Sequence, residues 1–223
     1  MSGRTLLGIA LLAGLAGAAG YYFLARPHPT PIPAAAVATP QPVEAAGAAQ
    51  LAAVIPPFKL ADRDGQMRSL KDDWPGKSLI VNFWATWCAP CRREIPLLKQ
   101  IARERAGENF QVIGIAVDFR DKVIAYADEM KIGYPMLIGE QDALDAAAAF
   151  GIDAVGLPFT IFTDNKGRVI TLHMGELTAA EADLILNAVA EVNAGRADPL
   201  QARAVITAGL AALPQETADK SGG

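Results

Sequence analysis

Residues 78–117, SLIVNFWATWCAPCRREIPLLKQIARERAGENFQVIGIAV, decide the fold. Ser78–Ala85 is a nearly continuous apolar run, the pattern of a strand covered on both faces. Ala89–Arg105 then carries helical spacing at Ile95, Leu98 and Ile101, and Gly107 marks its end. Phe110–Val117 is a second buried strand, so the unit reads β-α-β with a right-handed parallel crossover. Downstream, the pattern predicts helices at Asp121–Met130 and Asp142–Phe150, with a short strand at Pro135–Ile138 between them. Pro158–Thr163 and Arg168–Met174 flank Asp164-Asn165-Lys166-Gly167, a strong hairpin turn signal. Thr178 caps a last helix running to about Val192, and Glu181 completes a capping box. Upstream, Lys59-Leu60 and Met67–Leu70 around Asp64-Gly65 read as a short hairpin. This order predicts an α/β domain over residues 54–195, a mixed sheet sandwiched by helices. In the extension 196–223, Leu200–Leu213 reads as one helix with an apolar stripe at Leu200, Val205, Ile206, Leu210 and Leu213, either docked or free.

The N-terminal part is of another kind. Thr5–Ala25 is 21 residues without a charge, long enough at about 1.5 Å per residue to cross a hydrocarbon core of roughly 30 Å. Residues 1–26 therefore read as a signal anchor, with Tyr21, Tyr22 and Phe23 suited to the membrane interface. The run Ala16-Gly17-Ala18-Ala19 leaves a cleaved signal peptide as the alternative. Both readings export the rest of the chain. Residues 27–53, with Pro27, Pro29, Pro31, Pro33, Pro40 and Pro42, form a semi-rigid linker without the means to pack a core.

Hydrophobic residues make up 52% of the chain and charged residues 20%, which excludes an intrinsically disordered protein. A net charge of −4 gives no cationic surplus to neutralise phosphates and argues against nucleic acid as a partner. The chain has only 2 cysteines, too few for a disulfide-rich scaffold, and they lie three apart in Cys88-Ala89-Pro90-Cys91.

That pair sits where the first buried strand meets its helix. Free N–H groups and the positive end of the helix dipole there favour a thiolate at Cys88. A zinc site would need about four ligands, and beyond the thiols only His28 and His173 are on offer. Haem attachment needs a histidine after the second cysteine, where Arg92 stands. A purely structural bridge closing so short a loop removes little unfolded-state entropy. Reversible thiol–disulfide exchange accounts best for the pair, with an exposed Cys88 attacking and a shielded Cys91 resolving the mixed disulfide. A Cu(I)-binding chaperone with two thiolate ligands is the reading from a different class, without Met-rich or His-rich support around the pair.

The segment Val81–Pro96, with Trp87 before the C-x-P-C pair and Pro96 eight residues after Cys88, resembles the active-site signature of the thioredoxin superfamily. More narrowly, it is similar to the membrane-anchored TlpA/ResA-like thiol:disulfide oxidoreductases of bacteria, which include cytochrome c maturation reductants. The likeness runs over roughly Val54–Val192 and takes in Gly156-Leu157-Pro158-Phe159-Thr160. It implies a thioredoxin fold, three-layer α/β/α with a mixed sheet, and an inserted central βα element at about Phe119–Gly151. It further implies that Pro158 is a cis proline facing the disulfide and that Glu94, three residues after Cys91, is tied to the acid–base behaviour of the thiols. The aspartate that cytoplasmic thioredoxins bury in the strand before the motif falls at Asn82, which cannot titrate. Trp87, Ala89, Pro90, Gly156 and Leu157 are the expected substrate-contacting surface, Leu157 through backbone groups that could add a short β-ladder. Trp84 is expected in the core, and Arg92, Arg93 and His173 without a catalytic part. Pro96 should interrupt one helical hydrogen bond.

The function implied is reduction of specific protein disulfides by a domain on the periplasmic side of the bacterial inner membrane. The implied acceptors are apocytochrome c or a copper-delivery protein of oxidase assembly, and the implied electron donor is a membrane thiol-transfer protein. No cofactor is expected. A disulfide-introducing oxidase is the alternative within the same chemistry.

Overall fold

The computed structural model describes residues 51–153 and 156–214. The expected anchor at Thr5–Ala25, nearly all of the linker and the end of the C-terminal tail lie outside the described residues. Among the described residues no helix is long and apolar enough to cross a membrane. In chain order the elements are β1 (Leu60–Asp62), β2 (Met67–Arg68), β3 (Ser78–Trp84), α1 (Ala89–Glu104), β4 (Phe110–Val117), α2 (Arg120–Glu129), β5 (Met136–Gly139), α3 (Gln141–Ala149), β6 (Phe159–Thr163), β7 (Val169–Met174), α4 (Ala179–Asn193) and α5 (Pro199–Ala212).

The strands form one sheet in the order β2-β1-β5-β4-β3-β6-β7. β3, β4 and β5 run parallel, whereas β6 is antiparallel to β3, β7 to β6 and β1 to β5. This is the mixed-sheet, thioredoxin-like α/β architecture expected from the sequence. The central strand β3 is buried at every position, as an apolar run flanked by helices on both sides requires. Alternation splits its side chains between two cores. Ile80 and Trp84 pack with Ile95 and Leu98 of α1, Val123 of α2 and Ile185 and Val189 of α4, whereas Val81 and Phe83 pack with Ala143, Ala146 and Ala147 of α3 and with Phe150. Phe83 also stacks on Phe159 at 4.4 Å between ring centroids. The segment between β4 and β6 contributes α2, β5 and α3, and β5 extends the parallel part of the sheet.

Three expectations need correction. The domain takes up the chain before Val54, because Ala52 N–H donates to Phe150 O at 2.8 Å and Ala53 O accepts from Val169 N–H at 2.9 Å. The N-terminal hairpin is shorter than read, with β2 only two residues long. Most consequential is α5, which docks on α4 and β7 through only part of the stripe read from its large side chains, namely Ile206 and Leu210. Leu200 and Val205 are exposed, and the buried residues are Ala202 and Ile206. Small residues let the helices approach closely: a Cβ at Gly209 would stand 2.3 Å from Leu184 Cδ1. Arg203 of α5 also donates to the carbonyls of Val169 at 2.7 Å and Ile170 at 3.0 Å on the edge strand β7.

Candidate active site

The loop from β3 delivers Cys88 to the N-cap of α1, and the chain returns as helix at Ala89. Cys88 and Cys91 are joined in a disulfide, with Cα atoms 5.3 Å apart. Cys91 N–H points at Cys88 Sγ, 3.2 Å away, so one free amide of the helix start faces the sulfur that would carry a thiolate. Cys91 is fully buried and Cys88 only 5% exposed. Cys88 is the more accessible of the two, but it is buried rather than exposed as read from sequence, because a short loop seats it against the helix start. Trp87 beside it is 68% exposed, Ala89 exposed and Pro90 half-buried. α1 continues past Pro96 for two further turns.

The loop is tied down by a residue the sequence reading missed. Asp118, buried at the end of β4, accepts from Thr86 N–H at 3.1 Å, from the Thr86 hydroxyl in a shorter contact, and from Phe119 N–H at 2.8 Å. An acidic residue closing an otherwise apolar strand was the available signal.

The Leu157–Pro158 bond is cis. Register places Phe83 opposite Phe159, which brings buried Pro158 to the end of β3 from which the loop to Cys88 departs. Pro158 O accepts from Gly175 N–H at 2.9 Å, fixing the segment against the end of β7. Leu157 is half-buried and Gly156 exposed, so both border the accessible side of this end of the sheet.

Glu94 is 2% exposed, deep in the first turns of α1. Its Oε1 accepts from Asn82 Nδ2 at 2.7 Å and its Oε2 from Leu177 N–H at 2.9 Å. Burial pushes the carboxyl up from 4.5 to about 7, although the two hydrogen bonds pull the other way; the charge of Glu176 adds a smaller upward push. Asn82 thus does more than stand where an aspartate could be. It is fully buried and donates its second N–H to Thr160 Oγ1 at 3.0 Å. Arg93 is exposed and pairs with Glu176, Nε to Oε2 at 2.9 Å. Arg92 is exposed, and buried His173 lies 3.8 Å from Glu181, away from the sulfurs in its bonding. The structure therefore brings Cys88, Cys91, Glu94 and Pro158 to one end of the sheet, with Trp87, Ala89, Pro90, Gly156 and Leu157 at its surface.

The AhpC/TSA family model matches residues 51–172. The Thioredoxin-like protein YneN of Bacillus subtilis is 32% identical over 136 residues, which cover 57% of this chain and 74% of YneN. The thiol-disulfide oxidoreductase ResA of Geobacillus thermodenitrificans is 30% identical over 124 residues, 55% of this chain and 68% of ResA. Among solved structures, a DsbF homologue from Corynebacterium diphtheriae superposes with a TM-score of 0.54 at 26% identity, covering 62% of this chain and 87% of that one.

Proposed function

Because the chain belongs to the thioredoxin-like AhpC/TSA family and is a thiol:disulfide oxidoreductase, we propose that Cys88 and Cys91 are its redox pair and that it works as a reductant of protein disulfides. The observation that carries this reading is Cys88 at the N-cap of α1 with Cys91 N–H aimed at its sulfur. In the reduced protein the Cys88 thiolate attacks one sulfur of a substrate disulfide. A mixed disulfide forms as the other substrate sulfur leaves as thiolate and takes up a proton. The Cys91 thiolate, its proton passed to a base, then attacks Cys88 Sγ, closing the internal disulfide and expelling the second substrate thiol. Two electrons pass to the substrate, and a dithiol donor must return them to the pair. Glu94, buried one turn from Cys91 with a carboxyl near neutrality, is the group suited to take the Cys91 proton. Pro158 lacks an N–H and leaves the approach to the sulfurs free, while Leu157, Gly156 and Trp87 receive the substrate chain.

The uncharged stretch Thr5–Ala25 supports a single-pass anchor that holds the domain on the periplasmic side of the inner membrane. In that oxidising compartment a reductant needs a membrane thiol-transfer donor. Apocytochrome c or a copper-delivery protein is the proposed acceptor, on the strength of the likeness to the TlpA/ResA group.

The test is a Cys91→Ser variant expressed in cells. It should accumulate mixed disulfides through Cys88, identifiable by mass spectrometry, while Cys88→Ser should lose reductase activity on insulin. Faster alkylation of Cys91 than of Cys88 in the native reduced protein would reverse the assigned roles.

A further inference from the structure

Among the described residues the only exposed aromatic side chains are Trp87 and Phe119, the latter 54% exposed at the N-cap of α2. Both are carried by backbone that one buried carboxylate holds. Asp118 Oδ2 accepts from the N–H of Thr86, the residue before Trp87, at 3.1 Å, and Asp118 Oδ1 accepts from Phe119 N–H at 2.8 Å. The Ala85–Cys88 turn is closed in its own right, because Cys88 N–H donates to Ala85 O at 3.2 Å. Phe119 is therefore a fixed neighbour of the turn that presents Trp87 and Cys88.

The charge on this side is positive. Lys122 Nζ lies 4.9 Å from the centroid of the Phe119 ring, a cation–π contact that leaves the ammonium in solvent. Arg92 stands one turn into α1 from Cys88, whose carbonyl accepts its N–H at 3.1 Å. Its charge reaches α2: burial raises the Tyr126 hydroxyl and the Arg92 guanidinium pulls it back. Tyr126 and Lys122, four residues apart, share one face of α2. Among the described residues neither Arg92 nor Lys122 forms an ion pair, and Asp121 and Glu129 of α2 pair with neither. Asp118 is buried and already committed to Thr86 and Phe119. On the opposite side of the cysteines, by contrast, Glu176 neutralises Arg93.

Fixed, solvent-facing aromatics edged by an arginine and a lysine without partners have the composition of a recognition surface. We propose that Phe119, Lys122 and Arg92, together with Trp87, form a substrate-recognition face on the α2 side of Cys88, which selects disulfides whose cysteine is flanked by a bulky apolar residue and a carboxylate. The apolar side chain covers the rings, and the carboxylate meets the two cations. This rests on Cys88 being the sulfur that engages substrate, and it narrows the substrate class whichever protein is the acceptor.

The test uses three peptides, each dimerised through one central cysteine and symmetric about it, with Leu and Glu, Leu and Lys, or Gly and Glu on both flanks. The readout is the second-order rate constant at which each oxidises the reduced full-length protein. Ratios between peptides cancel any effect of a substitution on Cys88 itself. Wild type should react about fivefold faster with the Leu–Glu than with the Leu–Lys peptide at low ionic strength, as two exposed ion pairs allow. The net charge of −4 on the chain would by itself favour the Leu–Lys peptide, so the expected preference can only be local. It should vanish in the Arg92→Gln/Lys122→Gln double variant and in about 1 M salt. The Leu–Glu peptide should also outrun Gly–Glu by about threefold, a margin lost in Phe119→Ala while the charge preference stays. Equal rates for all three peptides in wild type, or preferences that survive these substitutions, overturn the recognition face. If wild type reduces none of the peptides, the reductant reading fails, and the face is judged on the mixed disulfides that the Cys91→Ser form makes with the same peptides. A preference for Leu–Glu there supports it, and no preference overturns it.

Discussion

A carboxyl that is fully enclosed yet hydrogen-bonded by two N–H donors is poised between opposing effects, and Glu94 is such a group. Desolvation wins, setting it at about 7 rather than the ordinary 4.5. Its proton is therefore bound more tightly in the native state than in the unfolded chain. Its contribution to stability should be highest where both states are protonated, below about pH 4.5, and should fall as pH rises to about 7, then level off. The full loss is on the order of 3 kcal/mol. Urea unfolding at pH 5 and pH 8 should show wild type losing stability across that window, with the loss much reduced in Glu94→Gln; equal losses in the two proteins would mean that Glu94 titrates normally. Cys88 and Cys91 were legible in the sequence because their motif is local, whereas the cis bond at Pro158, 70 residues on, was expected only from the family resemblance. Glu94 was half legible: the helical period put it on the face of Cys91, but a glutamate in the first turns of a helix reads equally well as solvated. Its enclosure depends on Asn82 and on Leu177, 83 residues away in the chain, and no local pattern contains such a contact.

At the scale of elements, the start of α4 links helix capping to the site. Thr178 Oγ1 accepts from Glu181 N–H, Glu181 accepts from Thr178 N–H in return, and the residue just before this cap is Leu177, whose N–H holds Glu94. Thr178→Ala should cost about 1 kcal/mol in chemical denaturation. It should also shift upward any Glu94-dependent inflection in the pH profile of Cys88 alkylation in the reduced protein, because loosening Leu177 weakens a donor to the carboxylate. A stability loss with no change in the pH profile would confine the cap to a structural part. The capping box was read from sequence because Thr and Glu three apart satisfy one another locally. The packing of α5 was read only in part: Ile206 and Leu210 of the expected stripe pack on the core, but residue size also pointed to Leu200 and Val205, which are exposed, while Ala202 and the close approach at Gly209 complete the docking. Arg203 gives that docking a purpose: β7 is an edge strand, and the guanidinium occupies carbonyls that would otherwise be open to pairing. Arg203→Ala should lower stability by about 1 kcal/mol. It should also raise the tendency to associate, measurable by light scattering at rising concentration.

For the molecule as a whole, the question is which way electrons flow. A strong oxidant of this superfamily such as DsbA owes its power to a stabilised reduced form, with a thiolate pKa of about 3.5 against about 7 in thioredoxin. Here the Cys91 amide at the start of α1 favours the Cys88 thiolate, as in any protein with a cysteine so placed. Little adds to that. Ala89 and Pro90 bring neither charge nor side-chain donor. Arg92 and Arg93 lie in solvent, where screening weakens them, and Arg93 is engaged with Glu176. Behind Cys91 the carboxylate of Glu94 opposes a second buried negative charge. The reduced form therefore gains little, and the couple should lie nearer the roughly −270 mV of thioredoxin than the roughly −120 mV of DsbA. By the thermodynamic cycle joining folding to disulfide formation, a low potential means that the native fold favours the bridge. The oxidised protein should then resist urea better than the reduced one, by about 1.4 kcal/mol for every 30 mV by which the fold lowers the potential. Unfolding both redox forms at neutral pH, beside glutathione equilibration of the native pair, measures the two sides of that cycle independently. A reduced form more stable than the oxidised one, with a potential above about −180 mV, would make the protein an oxidant and reverse the proposed direction of transfer.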